Sequence, residues 1–260
     1  MSALAAASGT RAIHRVNPVA KLGTAFILSL SLILTIDWVS AAVALGLEFA
    51  LLFWAGLSPK RFALRTMPIW IAAPTAGLTV LLYGQASGQT HWQFLLIHVT
   101  DGSITLAIAT ALRVLAIGLP AIVLFVTIDP TDLADGLAQV LRLPARFVLG
   151  GLAALRLVSL FLEDWRMLAL ARRARGIADQ GRFARLAGQG FALLVLSIRR
   201  GSKLATAMEA RGFGSSAPRS WARPSPFGWR EAGLLAIGAT IAAVSIAVSV
   251  ATGSWNFVVG

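Results

Sequence analysis

Apolar residues run along this chain in long blocks, and the blocks predict its elements. Five are long enough, or nearly so, to cross a bilayer as helices: Leu22 to Ile36, Trp38 to Leu57, Met67 to Tyr83, Ile104 to Ile128 and Ala232 to Ala251. A spanning helix needs about 20 apolar residues, because backbone groups left unpaired in hydrocarbon have no water to bond. The first block is short but extends over the aliphatic stem of Lys21. Two further apolar runs, Phe147 to Leu162 and Leu186 to Ile198, are shorter. In the first of them Phe147, Leu152, Leu155, Val158, Leu162 and Trp165 recur at near-helical spacing after Leu143-Pro144, with proline in the first turn where its missing N–H costs nothing.

Composition agrees with a lipid environment. The 260 residues are 57% hydrophobic and 13% charged, with a mean hydropathy of +0.76, whereas soluble domains carry about 25% charged residues. The chain contains no cysteine, which excludes disulfides, thiolate nucleophiles and cysteine-bound metal clusters. Arg11, Arg15 and Lys21 precede the first block as in a signal peptide, but more spans follow and no cleavage site stands out, so that block reads as a retained span.

The net charge of +12 would point to nucleic acid in a soluble chain. Here its placement carries more information. Arg11, Arg15 and Lys21 lie before the first span, Lys60, Arg61 and Arg65 between the second and third, and 16 basic residues from Arg142 to Arg230 between the fourth and fifth. Only Arg113 lies inside a span, and the Asp37 turn, the stretch from Gly84 to Ser103 and the tail from Thr252 contain none. Because cytoplasmic flanks retain Lys and Arg, five spans across the cytoplasmic (inner) cell membrane, with the N-terminus on the cytoplasmic side and the C-terminus outside, satisfy every charge.

A transmembrane hairpin made of the two shorter runs would export six arginines, Arg166, Arg172, Arg173, Arg175, Arg182 and Arg185. Both runs are therefore placed on the cytoplasmic side, as helices at or under the membrane surface. The predicted fold is an all-α polytopic membrane protein. Residues 1–21 form a cytoplasmic N-terminal segment, 22–128 the first four spans, 129–230 a cytoplasmic or membrane-surface module, and 231–260 the fifth span with an external tail. The module balances 16 basic against seven acidic residues. Its excess is suited to anionic lipid headgroups, worth about 1 kcal/mol for each basic residue near the surface, and no nucleic-acid partner is expected.

Headgroup attraction does not explain why two arginines fall inside a repeated pattern. Ala171-Arg172-Arg173-Ala174-Arg175-Gly176 and Ala207-Met208-Glu209-Ala210-Arg211-Gly212 share the form Ala-x-x-Ala-Arg-Gly, 36 positions apart. Glycine suits the left-handed position that closes a helix, and arginine beside it meets the negative end of the helix dipole. A single such arginine caps its own helix or touches phosphate. Two copies in one module predict two helix tips that present Ala174-Arg175-Gly176 and Ala210-Arg211-Gly212 to carboxylates on a pair of partner subunits.

Together with Thr127-Ile128-Asp129-Pro130-Thr131-Asp132-Leu133, Leu143-Pro144-Ala145-Arg146 and the N-terminal Asn17-Pro18-Val19-Ala20-Lys21-Leu22, the doubled motif resembles the transmembrane T component of energy-coupling factor transporters. The resemblance runs from about Asn17 to Gly214, and the last span is similar only in hydropathy. It implies a non-catalytic subunit with long coupling helices between its fourth and fifth spans. It further implies two ATP-binding-cassette ATPases docked on Arg175 and Arg211, with ATP bound by those partners and no cofactor on this chain. A small membrane protein would capture a vitamin or transition-metal ion.

Other chemistry is thin. Arg113 is costly in hydrocarbon, about 2.5–3.5 kcal/mol on insertion scales, and is read as a structural charge within the bundle, paired with Asp37 or Glu48. His91 and His98 have no third ligand near them, so no metal site is expected. No phosphate-cradling glycine loop, nucleophile elbow or His-Glu-x-x-His helix is present. The alternative from another class is a stand-alone secondary carrier, hinted at by Pro68, Pro74 and Pro120 within spans. A lipid-acting enzyme would need Asp129, Asp132 and Asp135 to hold magnesium, whereas the local sequence reads as a helix start.

Overall fold

A computed structural model describes residues 16–54, 59–84, 87–94, 97–176, 181–215 and 220–255. In chain order the helices are α1 (Pro18–Ile33), α2 (Trp38–Trp54), α3 (Pro59–Tyr83), α4 (Asp101–Val126), α5 (Pro130–Gln139), α6 (Ala145–Ala174), α7 (Arg182–Ala210) and α8 (Trp229–Ala251). Between α3 and α4 the strands β1 (Thr90–Phe94) and β2 (Ile97–Thr100) pair antiparallel, an addition to the predicted all-α architecture. The chain divides into two compact units, Met1–Leu133 with Pro226–Gly260, and Ala134–Ser225.

In the first unit Asn17 caps α1, its Oδ1 accepting from the Val19 amide at 3.0 Å, and Pro18 opens the helix. Leu28 and Leu32 of α1, Ala44 of α2, Ala116 of α4 and Ile241 of α8 share one buried cluster. Small residues allow close approach: a Cβ on Gly238 of α8 would stand 2.6 Å from Thr24 Cγ2 of α1. Leu64, Met67, Ile71 and Leu78 of α3 are exposed, as a lipid-facing surface requires. Both α3 and α4 continue unbroken through Pro68, Pro74 and Pro120, so the prolines do not make the broken helices a carrier would use.

Among the described residues four helices have the length and apolar content to cross a membrane, namely α3 over Phe62–Tyr83, α4 over Asp101–Phe125, α6 and α8. At 16 and 17 residues α1 and α2 rise only about 24 and 26 Å. The third of these, α6, is one of the two helices that the arginine distribution assigns to the cytoplasmic side.

The helix α5 begins in the first unit and ends in the second. Asp129 starts it, with Oδ1 accepting from the Thr131 amide at 2.8 Å, which is a helix-start role for that carboxylate. At its other end the Gln139 amide grips the returning chain, donating to the Arg223 carbonyl at 2.8 Å and accepting from the Ser225 amide at 2.9 Å. In the second unit α6 buries none of its 30 residues. Phe147, Leu155, Val158 and Leu162 form an exposed apolar stripe along it. Among the described side chains of α7 only Gln189 is buried.

Candidate docking site at two helix ends

Each Ala-x-x-Ala-Arg-Gly segment closes a long helix, and the two closures have the same backbone. Arg175 (φ −88°, ψ 1°) and Arg211 (φ −90°, ψ 12°) are the C-cap residues of α6 and α7. Each arginine stands one position beyond the last turn in which its motif predicts it, where the chain leaves the helix. Gly176 (φ +68°) and Gly212 (φ +74°) then take the left-handed conformation that a side chain resists. On α7 the Gly212 amide donates to the Glu209 carbonyl at 2.9 Å and the Phe213 amide to the Met208 carbonyl at 2.9 Å, which completes a Schellman cap. The Gly176 amide repeats the first of these bonds on α6, donating to the Arg173 carbonyl at 3.0 Å. Ala174, Arg175, Gly176, Ala210, Arg211 and Gly212 are all exposed. Two guanidinium groups therefore stand on rigidly capped helix ends, open to carboxylates of another molecule.

One feature of this module escaped the sequence reading. Arg200 of α7 makes a two-pronged ion pair with Asp164 of α6, Nη1 to Oδ2 at 2.5 Å and Nη2 to Oδ1 at 3.0 Å. Its signal was present in the numbering, because the pair is 36 residues apart, the period of the motif itself.

The predicted internal charge behaves differently from expectation. Among the described residues Arg113 makes no ion pair, and its Nε and Nη2, like both carboxylate oxygens of Glu48, are buried without a hydrogen-bond partner. No direct contact of Arg113 with Asp37 or Glu48 is made, and the Asp37 carboxylate acts on Arg113 only as a charge at longer range. Asp37 is already engaged, accepting from the Ser40 amide at 2.7 Å, from Ser40 Oγ at 2.6 Å and from Ser249 Oγ at 2.7 Å. His91 binds Asp101 at 2.6 Å, while the His98 side chain lies outside the described residues. Among the described residues no three His, Cys, Asp or Glu side chains converge as metal ligands would.

The N-terminal Asn-Pro-x-x-Lys-Leu segment acquires a physical role. Lys21 is buried, 1% exposed, and its Nζ donates to the Thr127 carbonyl at 3.0 Å, just after the end of α4. Asn17 Nδ2 donates to the Pro226 carbonyl at 3.0 Å. One turn of α1 thus holds the point where the chain leaves the spanning bundle and the point where it returns.

Residues 9–220 match the family described as cobalt transport protein. Full-length relatives include three proteins named energy-coupling factor transporter transmembrane protein EcfT. The one from Limosilactobacillus fermentum is 26% identical over 260 residues, covering 92% of each chain. That from Bacillus selenitireducens is 28% identical over 251 residues, 92% of this chain and 93% of the relative. In Brevibacillus brevis the relative is 26% identical over 262 residues, 95% of each.

Proposed function

The chain belongs to the cobalt transport protein family and is the transmembrane component of an energy-coupling factor transporter, and from that premise we propose how it couples. Arg175 and Arg211 dock in carboxylate-lined grooves of two ATP-binding-cassette ATPases on the cytoplasmic side. Movement of those ATPases reaches a small membrane subunit, which carries a vitamin or a transition-metal ion, through α6 and α7. ATP is bound and hydrolysed by the partners, and this chain performs no chemistry of its own. The N-terminus faces the cytoplasm and residues 129–230 form the coupling module.

The observation that supports this reading most strongly is the doubled cap: two exposed arginines, 36 residues apart, on helix ends closed by the same backbone turn. A lipid-binding surface would require basic residues, but not two copies of one cap. The exposed apolar stripe of α6 supplies a surface for a hydrophobic subunit or for lipid.

Purification of the tagged chain from its native membrane in mild detergent, followed by mass spectrometry, tests the proposal. Two ATP-binding-cassette ATPases and a small hydrophobic protein are the expected companions, and the last of these names the cargo. The chain alone, active in substrate counterflow after reconstitution, would make it a secondary carrier and overturn the coupling reading.

A further inference from the structure

The ion pair between Asp164 and Arg200 occupies equivalent positions in the two motif-bearing helices. Arg175 follows Asp164 by eleven residues and Arg211 follows Arg200 by eleven. Each tip therefore stands about 16 Å along its helix from the pair. Contacts elsewhere fix the sense of the two helices. Eight residues beyond Asp164, Arg172 Nη1 donates to the carbonyl of Arg185, near the start of α7, at 3.4 Å. The same guanidinium lies against Gly188, where a Cβ would stand 2.6 Å from Nη2. Contacts thus move backward along α7 as they move forward along α6, so the helices run antiparallel where they meet. Equivalent residues paired between antiparallel helices define a local two-fold axis, with the two tips at equal reach on opposite sides of it.

We propose that Asp164 and Arg200 are positioning residues that hold the two arginine tips at a fixed, symmetric spacing matched to a partner with two like grooves. The inference rests on the docking function proposed for Arg175 and Arg211. A bidentate guanidinium–carboxylate fork fixes relative orientation as well as distance, which a lysine or a single hydrogen bond does not. With so little of α6 and α7 buried, packing supplies weak constraint and the fork becomes the main directional tie between them. Displacement at one tip is then passed to the other helix at a defined point instead of being absorbed by sliding.

The absence of native cysteine makes the spacing directly measurable. Leu170→Cys and Thr206→Cys, exposed positions again 36 residues apart, carry nitroxide labels in the full complex, and pulsed electron paramagnetic resonance gives their separation. A narrow distance distribution is expected for the otherwise unaltered chain. In Asp164→Asn and in Arg200→Lys the population outside that distribution should rise about fivefold, as for loss of a partly buried bidentate pair. The exchange Asp164→Arg with Arg200→Asp should narrow it again. Transport per ATP hydrolysed should fall in the single variants while the ATPases still co-purify, because both tips are intact. Distributions unchanged in the single variants, or equally broad in the exchange, overturn the positioning role. Loss of co-purification in Arg175→Glu with Arg211→Glu is a separate readout, so failure of the fork and failure of the docking proposal remain distinguishable.

Discussion

The backbone amide of Asn17 donates to Glu231 Oε1 at 3.1 Å, joining residues 214 positions apart at one end of the neighbouring helices α1 and α8. Past the other end of α1, in the turn that leads into α2, Asp37 Oδ2 accepts from Ser249 Oγ of α8 at 2.7 Å across 212 positions. With Thr24 against Gly238 between them, the first and last helices are fastened along their length. Glu231 also accepts from the Gly228 amide at 2.8 Å, so its carboxylate both starts α8 and holds α1. Glu231→Ala would leave two amides without their acceptor and should cost about 2–3 kcal/mol. Thermal unfolding in detergent would register a clear fall in midpoint, and an unchanged midpoint would show the clamp to be incidental.

Glu48 makes the opposite prediction. It is 3% exposed with neither carboxylate oxygen bonded, so removing it relieves a desolvated group without breaking a contact. Glu48→Gln or Glu48→Met should leave stability equal or raise it by about 1 kcal/mol or more. A loss of similar size would reveal a partner for this carboxylate.

At the tips, the left-handed glycines set the direction in which the chain departs. Gly212→Ala, at φ +74°, should be strained by about 1–2 kcal/mol. Because the tip turns with it, recovery of co-purified ATPases should fall by a factor of roughly 5–30. Gly212→Asn, which tolerates that region better, should be milder. Equal recovery from all three chains would separate docking from cap geometry.

Acid should loosen the Asp37 end of the α1 and α8 pair. Burial by itself pushes the Asp37 carboxyl up, but hydrogen bonds from Ser40, Ser249 and Thr35 outweigh it and hold the group below the usual carboxylate range. A group with a depressed native pKa stabilises fully above its unfolded value, about 3.9. That contribution is lost as pH falls through the native value. The melting midpoint should therefore drop as pH falls below about 4 in the wild-type chain, and drop less in Asp37→Asn. Parallel curves would remove Asp37 from the account.

These residues mark where sequence reasoning reaches and where it stops. Apolar blocks located the helices because lipid imposes a length and an apolar content on each. The glycines of the doubled motif were readable as helix ends because few other residues accept a positive φ. Asn17 and Lys21 stood out as a motif, yet their partners Glu231, Pro226 and Thr127 lie more than 100 residues away, beyond what periodicity encodes. The same blindness assigned Asp37 or Glu48 to Arg113, since sequence gives no register between neighbouring helices. Asp164 and Arg200 could have been found, because their spacing repeats the 36-residue period of the motif.

The most direct test of the docking claim is Arg175→Glu combined with Arg211→Glu, which inverts charge only at the two tips. Membrane insertion and thermal stability should match the wild-type chain, while the ATP-binding-cassette ATPases should no longer co-purify with it. Undiminished co-purification from a normally inserted double variant would contradict the account.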